Sequence, residues 1–205
     1  AWWRACGWLP AVPSLPVAPA VPTIAVVSGS CSPGTAAQIA WAGRNGFATE
    51  RVDLARALPD PAREAEIERV TGIAVDALRA GRSPVVFSAA GPDDPAVTGF
   101  DALAAGAGLA RTDAARVVGD VLAEIMRRLL DRAAPTRVVV AGGDSSGAVA
   151  SALDIAALSI AAGLSPGAPL CRAWSARQER DGLEIVLKGG QMGGDDFFGR
   201  VRAGG

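Results

Sequence analysis

Histidine is absent from the 205 residues, and that absence excludes more chemistry than any motif here adds. Without an imidazole there is no Ser-His-Asp or Cys-His nucleophile, and most catalytic zinc sites are excluded as well. Cysteine is scarce: Cys6, Cys31 and Cys171 are the whole complement. They are too few and too scattered for a disulfide framework or a zinc cluster, and they suit small apolar fillers in a reducing, cytoplasmic setting. An excess of one charge is lacking too. Lys and Arg number 20 against 21 Asp and Glu, a net charge of −1, so nothing draws the whole chain to nucleic acid or to an anionic membrane. Any phosphate binding must therefore be local. Every long apolar stretch is broken by Asp, Arg, Gly or Pro, leaving no run of the ~20 residues that span a bilayer. The start of the chain carries no initiator Met and no basic region ahead of an apolar one, which argues against a signal peptide.

Half of the residues are apolar, enough for one well-buried α/β domain and too many for disorder. Pro10, Pro13, Pro16, Pro19 and Pro22 recur every third residue, a spacing suited to an extended polyproline II linker. Ahead of it, Trp2, Trp3 and Trp8 crowd a segment whose helix would close at Gly7; such aromatics need a packing partner. Residues 1–23 are therefore expected to be the end of a preceding domain plus a linker, and residues 24–205 the domain proper. The tryptophans then serve either as a contact surface for that other domain or as a route to a homo-oligomer.

From residue 24 the pattern alternates. Strands are expected at 24–28, 47–54, 84–88 and 137–141, with further strands at 170–175 and 183–187. Helices are expected from Ser32 or Thr35 to Arg44, from an Asp60-Pro61 start to Ala80, from a Thr112 or Asp113 cap to Ala133, and over 145–162. A short last helix would be capped by Asp195. Residues 89–109, rich in Gly, Pro, Asp and Ala, read as a long loop, either mobile or functional. Strands alternating with helices predict a three-layer α/β domain with a mainly parallel sheet.

Three clusters break this regularity. Ser28-Gly29-Ser30-Cys31-Ser32 and Gly142-Gly143-Asp144-Ser145-Ser146-Gly147 each close an apolar run and open a helix, the local geometry that offers backbone N–H groups and a positive dipole end to an anion. Gly142-Gly143 allows close approach to the backbone, and Asp144 adds a candidate metal-side carboxylate. In the third, Lys188 at a strand end is followed by Gly189, Gly190, Gly193 and Gly194, one cation with several amides. Taken singly, each also fits a capped glycine turn or a turn with a solvated lysine. Neither the P-loop spacing nor the dinucleotide fingerprint is present.

In their order, Ser28 to Ser32 with Thr35 and Gln38, Gly142 to Ser146, Pro169-Leu170-Cys171-Arg172, and Lys188 to Phe198 resemble the nucleotide-binding C-terminal domain of the four-carbon acid sugar kinases over residues 21–205. The resemblance implies an ATP site, with Mg²⁺, in which Ser28, Gly29 and Ser30 lie at the nucleotide, Gly142, Gly143, Asp144 and Ser145 wrap it, and Lys188, Gly189 and Gly190 complete it. Two departures stand out: Ser145 follows Asp144 where the family has Thr-Ser, and Gly189, Gln191 and Met192 replace Ser, Asn and Phe of the usual closing motif. The family's sugar-acid site belongs to a preceding domain, so the expected activity is phosphoryl transfer from ATP to a tetronate-type acid held by that domain. A non-catalytic nucleotide-binding or interaction module is the alternative.

Overall fold

The structure, a computed structural model, describes residues 6–8 and 16–204. Seven strands form one sheet in the order β2-β3-β1-β4-β7-β6-β5. They are β1 (Ala25–Ser28), β2 (Ala48–Arg51), β3 (Pro84–Phe87), β4 (Arg137–Ala141), β5 (Ile155–Ser165), β6 (Ala168–Ser175) and β7 (Glu184–Lys188). The five from β2 to β7 in this order are parallel, and β5 and β6 append an antiparallel hairpin. β1, β3 and β4 are buried at every residue, which explains their unbroken Val-rich runs, since parallel strands are covered on both faces.

Eight helices lie among the described residues: α1 (Pro33–Arg44), α2 (Leu54–Ala57), α3 (Asp60–Arg79), α4 (Pro95–Thr98), α5 (Phe100–Gly106), α6 (Arg111–Ala133), α7 (Gly143–Ala152) and α8 (Phe197–Ala203). Alternate residues of each strand feed two apolar clusters. Ala25, Val27, Val138 and Val140 join the buried sides of α3, α6 and α7, whereas Ile24, Val26 and Val139 join Ile39 of α1 with Phe197, Phe198 and Val201 of α8. α6 and α7 pack side by side; a Cβ on Gly119 would make an ordinary contact with Ala148 Cβ, at 3.5 Å.

Several expectations are corrected. Residues 145–162 are not one helix: α7 stops at Ala152, and Asp154 at φ +53° turns the chain into β5, whose alanine-rich sequence is held extended by pairing with β6. The expected loop over 89–109 holds α4 and α5; Asp94 caps α4 through the Ala96 amide, with Pro95 at its first turn. The second strand ends at Arg51, because Asp53 caps α2. Asp60 is the first residue of α3 rather than its cap, and neither Thr112 nor Asp113 caps α6, which begins after Ala110. Asp195 caps nothing; Asp196 occupies the cap position of α8 without a side-chain bond.

The expectations for Trp2, Trp3, Pro10 and Pro13 lie outside the described residues. The later part of the proline-spaced stretch is docked on the domain. Ala18 N–H donates to Gly204 O (3.1 Å) and Val21 N–H to Arg202 O (2.9 Å). Arg137, fully buried at the start of β4, ties the same region together: it donates to Glu184 Oε2 (2.6 Å), Val201 O (2.7 Å) and Pro19 O (3.0 Å).

Candidate functional site

The C-terminal ends of β1, β4 and β7 point the same way. β1 leads through α1 toward β2 on one side of the sheet, and β4 leads through α7 toward β5 on the other. The crevice between them is the topological switch point where open α/β sheets bind ligands.

The three sequence clusters meet there. Gly29 N–H donates to Ala141 O and Gly142 N–H to Lys188 O, both at 3.0 Å, so each turn is pinned to the end of the next strand. Ser28, fully buried, braces the first turn by accepting from Ser30 N–H (3.3 Å). Space between the turns is tight. A Cβ on Gly29 would stand 2.1 Å from Ser145 Oγ, and one on Gly190 would stand 2.6 Å from both Ser30 Oγ and Ser32 Oγ. Gly142, at φ +119°, would bring a Cβ to 3.2 Å from Ser30 N, whereas around Gly143 nothing lies within 4 Å of that position. Thus Gly142 carries the conformational demand, and the Cβ direction of Gly143 is open. α7 begins here; Ser146 closes its first turn on Gly142 O through N–H (2.9 Å) and Oγ (2.7 Å).

The closing segment after Lys188 lies over the start of α1. Ser32, the cap of α1, accepts from Thr35 N–H (3.2 Å) and donates to Gly190 O (2.6 Å); Thr35 Oγ1 donates to the same carbonyl (2.9 Å). Gln38, fully buried one turn on, spreads its Nε2 over the carbonyls of Met192 (2.9 Å), Gly193 (3.3 Å) and Gly194 (3.1 Å). Lys188 is 1 % exposed. Its Nζ donates to Thr35 Oγ1 (3.1 Å) and Gly190 O (3.5 Å) and lies 5.9 Å from the Phe197 ring centre. It makes no ion pair among the described residues, and burial pushes its pKa down to about 8. Gly189, on the lip, meets only the Met192 side chain, at 3.7 Å or beyond.

A cavity of about 230 Å³ opens from Gly29, Asp144 and Ser145 beneath α4, α5 and α6. Its loop wall is rigid. Asp94 receives both Arg51 guanidinium nitrogens (2.9 and 2.7 Å) and the Ala90 and Ala96 amides (2.8 and 2.9 Å). The Arg51 bonds, first among these causes, hold its carboxyl down at about 2. Cys31, on the rim, is kept protonated: burial and then Asp94 push its thiol up against the opposing Arg111. Asp144 is the one carboxylate on the cavity wall, and the described residues contain no cluster of three metal-binding side chains. That fits a Mg²⁺ carried in by phosphates with one protein carboxylate rather than a protein-built metal cage.

The structure thus brings together Ser28, Gly29, Ser30, Gly142, Ser145, Lys188 and Gly190, and it sets Gly143, Asp144 and Gly189 at the edge of the same crevice. Sequence reasoning missed the walls: Val97, Phe100, Arg111 and Val118 lie far from any of the three clusters. The Asp94-Pro95 pair was the signal that could have revealed α4.

Comparison with known proteins identifies the family. The family described as nucleotide-binding C-terminal domain matches residues 25–198. A 3-oxo-isoapionate kinase of Paraburkholderia graminis is 67 % identical over 204 residues, 100 % of this chain and 43 % of that protein. A 3-oxo-tetronate kinase of Cupriavidus necator is 33 % identical over 84 % of the chain and 36 % of its own length. The chain therefore spans less than half the length of these relatives. Among solved structures, a Salmonella typhimurium protein described as a putative tRNA synthase aligns with TM-score 0.72 and 29 % identity over 92 % of this chain and 41 % of its own. A Haemophilus influenzae protein aligns at 0.75 with 23 % identity over 97 % of this chain and 44 % of its own, a likeness of fold. No helix among the described residues is long and apolar enough to cross a membrane. The chain belongs to the nucleotide-binding C-terminal domain family, the one its glycine and serine turns resemble in the four-carbon acid sugar kinases.

Proposed function

We propose that the chain is the ATP-binding portion of a kinase that phosphorylates a hydroxyl of a sugar acid, the acceptor being of the kind named for the relatives, a 3-oxo-isoapionate or a 3-oxo-tetronate. The observation that carries this is Lys188: a buried ammonium without an anion is costly, and this one stands where three phosphate-type turns converge. A lysine has three donors, and two of them go to Thr35 and Gly190. In this reading the phosphates lie across Gly29, Ser30 and the start of α7, where the first amides of that helix and its dipole favour negative charge. Asp144 takes Mg²⁺, which supplies charge neutralisation at the phosphates. Three layers, with α1 and α8 on one face and α3, α6 and α7 on the other, present these turns at a single edge. Phosphoryl transfer depends on positioning both reactants, so the chain by itself is expected to bind nucleotide and to transfer nothing until a sugar-acid site is supplied.

Titration calorimetry tests this. Lys188→Ala is expected to weaken ATP tenfold or more, the ~1.5–3 kcal/mol of a charged hydrogen bond, while leaving adenosine within about twofold. Equal losses for both ligands would assign Lys188 a structural role and overturn the reading. The pH dependence has a definite sign. A bound phosphate raises the lysine from its value of about 8, so ATP binding should take up a proton, and affinity should fall, as pH rises above 8. Without ligand, the folded chain gives up this proton earlier than the unfolded chain does. Stability should therefore rise with pH from about 8 toward the ordinary lysine value of ~10.4. Lys188→Met should remove both effects.

A further inference from the structure

The two edges of the sheet are built differently. β2 closes one edge with four residues, of which Glu50 and Arg51 are charged and engaged with Arg69 and Asp94. A short, charged strand of this kind resists pairing with another chain. β5 closes the other edge with eleven residues, Ile155–Ser165, none of them charged and none proline. Among the described residues no strand pairs with its outer side. From Ala157 to Ile160 it runs in regular register with β6, opposite Trp174, Ala173, Arg172 and Cys171 in turn. Residues directly opposite share a face. Leu158 and Ile160 therefore lie on the side of Ala173 and Cys171, whose apolar cluster is covered by α3, α6 and α7. They stand beyond that cover, 40 % and 60 % exposed. On the other face Trp174 is 51 % exposed, its Nε1 donating to Ser159 Oγ (3.1 Å).

We propose that β5 is an interface between two copies of this chain: the strands pair antiparallel about a two-fold axis at Ser159 and join the two sheets into one. The sequence of the strand is self-complementary in that register. An axis normal to the sheet keeps each face continuous across the joint, so Leu158 meets Ile160 of the second copy, and Ile160 meets its Leu158. The exposed apolar pair of each copy is thus covered by the pair of the other. Neighbouring registers do worse. Moving the axis to Leu158 sets Ile160 against Ala156, and moving it to Ile160 sets Leu158 against Ala162, which belongs to the opposite face. No charged group on the strand has to leave water, and the edge N–H and C=O groups gain partners in the second copy. Overlap of residues 155–163 from both copies makes a strip ~30 Å long. With side chains on both faces it buries about 600 Å² per copy, or ~1,200 Å² in total, the lower end of a specific interface.

Leu158→Glu and Ile160→Lys test the proposal, because in this register the two positions face each other across the axis. Sedimentation equilibrium on the 205-residue chain reads the outcome, with melting temperature as the control for folding. The unsubstituted chain is expected to be mainly dimeric at about 100 µM, the weak end for an interface of this area. Either substitution alone buries an unpaired charge at the joint and is expected to raise the dissociation constant at least fiftyfold. The doubly substituted chain sets opposite charges face to face and is expected to return to within about fivefold of the unsubstituted one. Leu158→Lys with Ile160→Glu repeats the cycle with the charges exchanged, should one variant fail to fold. A monomeric unsubstituted chain at that concentration would overturn the interface. Dimers that persist in both single variants would place association elsewhere and overturn it too. Single variants that dissociate without recovery in either double variant would show an apolar contact in another register, and the two-fold at Ser159 would fall.

Discussion

Gly142→Ala is expected to abolish measurable ATP binding and to destabilise the fold, whereas Gly143→Val should abolish binding and leave stability almost unchanged. The contrast follows from two adjacent backbones. At φ +119°, ψ 138° Gly142 occupies a region that only glycine adopts without strain. Its new Cβ would also press on backbone, at 3.2 Å from Ser30 N and 3.4 Å from Gly29 C. Strain of this kind costs on the order of 1–3 kcal/mol. Relieving it means moving the first turn away from Ser145, which dismantles the place where the turns meet. Gly143 begins α7, and nothing stands within 4 Å of its Cβ direction. On helix propensity a valine there is no worse than the glycine it replaces, but it projects into the crevice across which phosphates would lie. Chemical denaturation separates the two effects, and calorimetry with ATP reads the common one. A Gly142→Ala chain that keeps both its stability and its ATP affinity would show that the turn tolerates a different path.

Arg137→Met carries the largest expected loss of stability, about 3 kcal/mol, the lower end of what breaking a buried charged pair costs. For a chain of this size that is roughly 6–12 °C in melting temperature. The arginine is fully buried, and its three bonds hold together groups from distant parts of the chain: Glu184 on β7, Val201 on α8 and Pro19 on the entering segment. Removing it leaves two carbonyls and a carboxylate without their donor, each a desolvation cost that methionine cannot offset. Hydrogen exchange should show the local consequence first, as loss of protection at the Ala18 and Val21 amides, whose acceptors lie on α8 and just after it. A melting shift under ~2 °C would mean that water or a neighbouring side chain takes over those bonds.

What the sequence disclosed depended on whether a signal was local. β4 was legible to the residue, because Arg137 and Gly142 bracket an unbroken valine run that a buried parallel strand requires. The start of α1 was legible from Ser32 and Pro33, which act as cap and first residue. β5 was not. Its alanines and leucines favour helix at least as well as strand, and the pairing with β6 that decides the matter is made with residues brought near only by the hairpin. Asp154, in the left-handed region, was the single local hint of a break. The site followed the same rule. Glycine and hydroxyl turns advertise themselves, so the edge proposed for the phosphates could be picked out. The apolar side of the cavity is assembled from α2, α4, α5 and α6, whose side chains look like ordinary core until the fold brings them around one space. Lys188 was expected to face a ligand, but its burial under the Gly190 carbonyl depended on the path of a segment with four glycines in six residues, which sequence does not specify.

The backbone bonds from Ala18 to Gly204 and from Val21 to Arg202 mean that the two ends of this domain lie at one spot, near the start of β4 and so at the opposite end of the strands from the glycine turns. A unit with adjoining entry and exit can be spliced into another protein, or have its ends joined and a new opening cut at an exposed bend such as Gln178, without rerouting any strand. In this domain the order of the chain is thus separable from the arrangement that binds, and a circularly permuted version should present the same turns at the same edge.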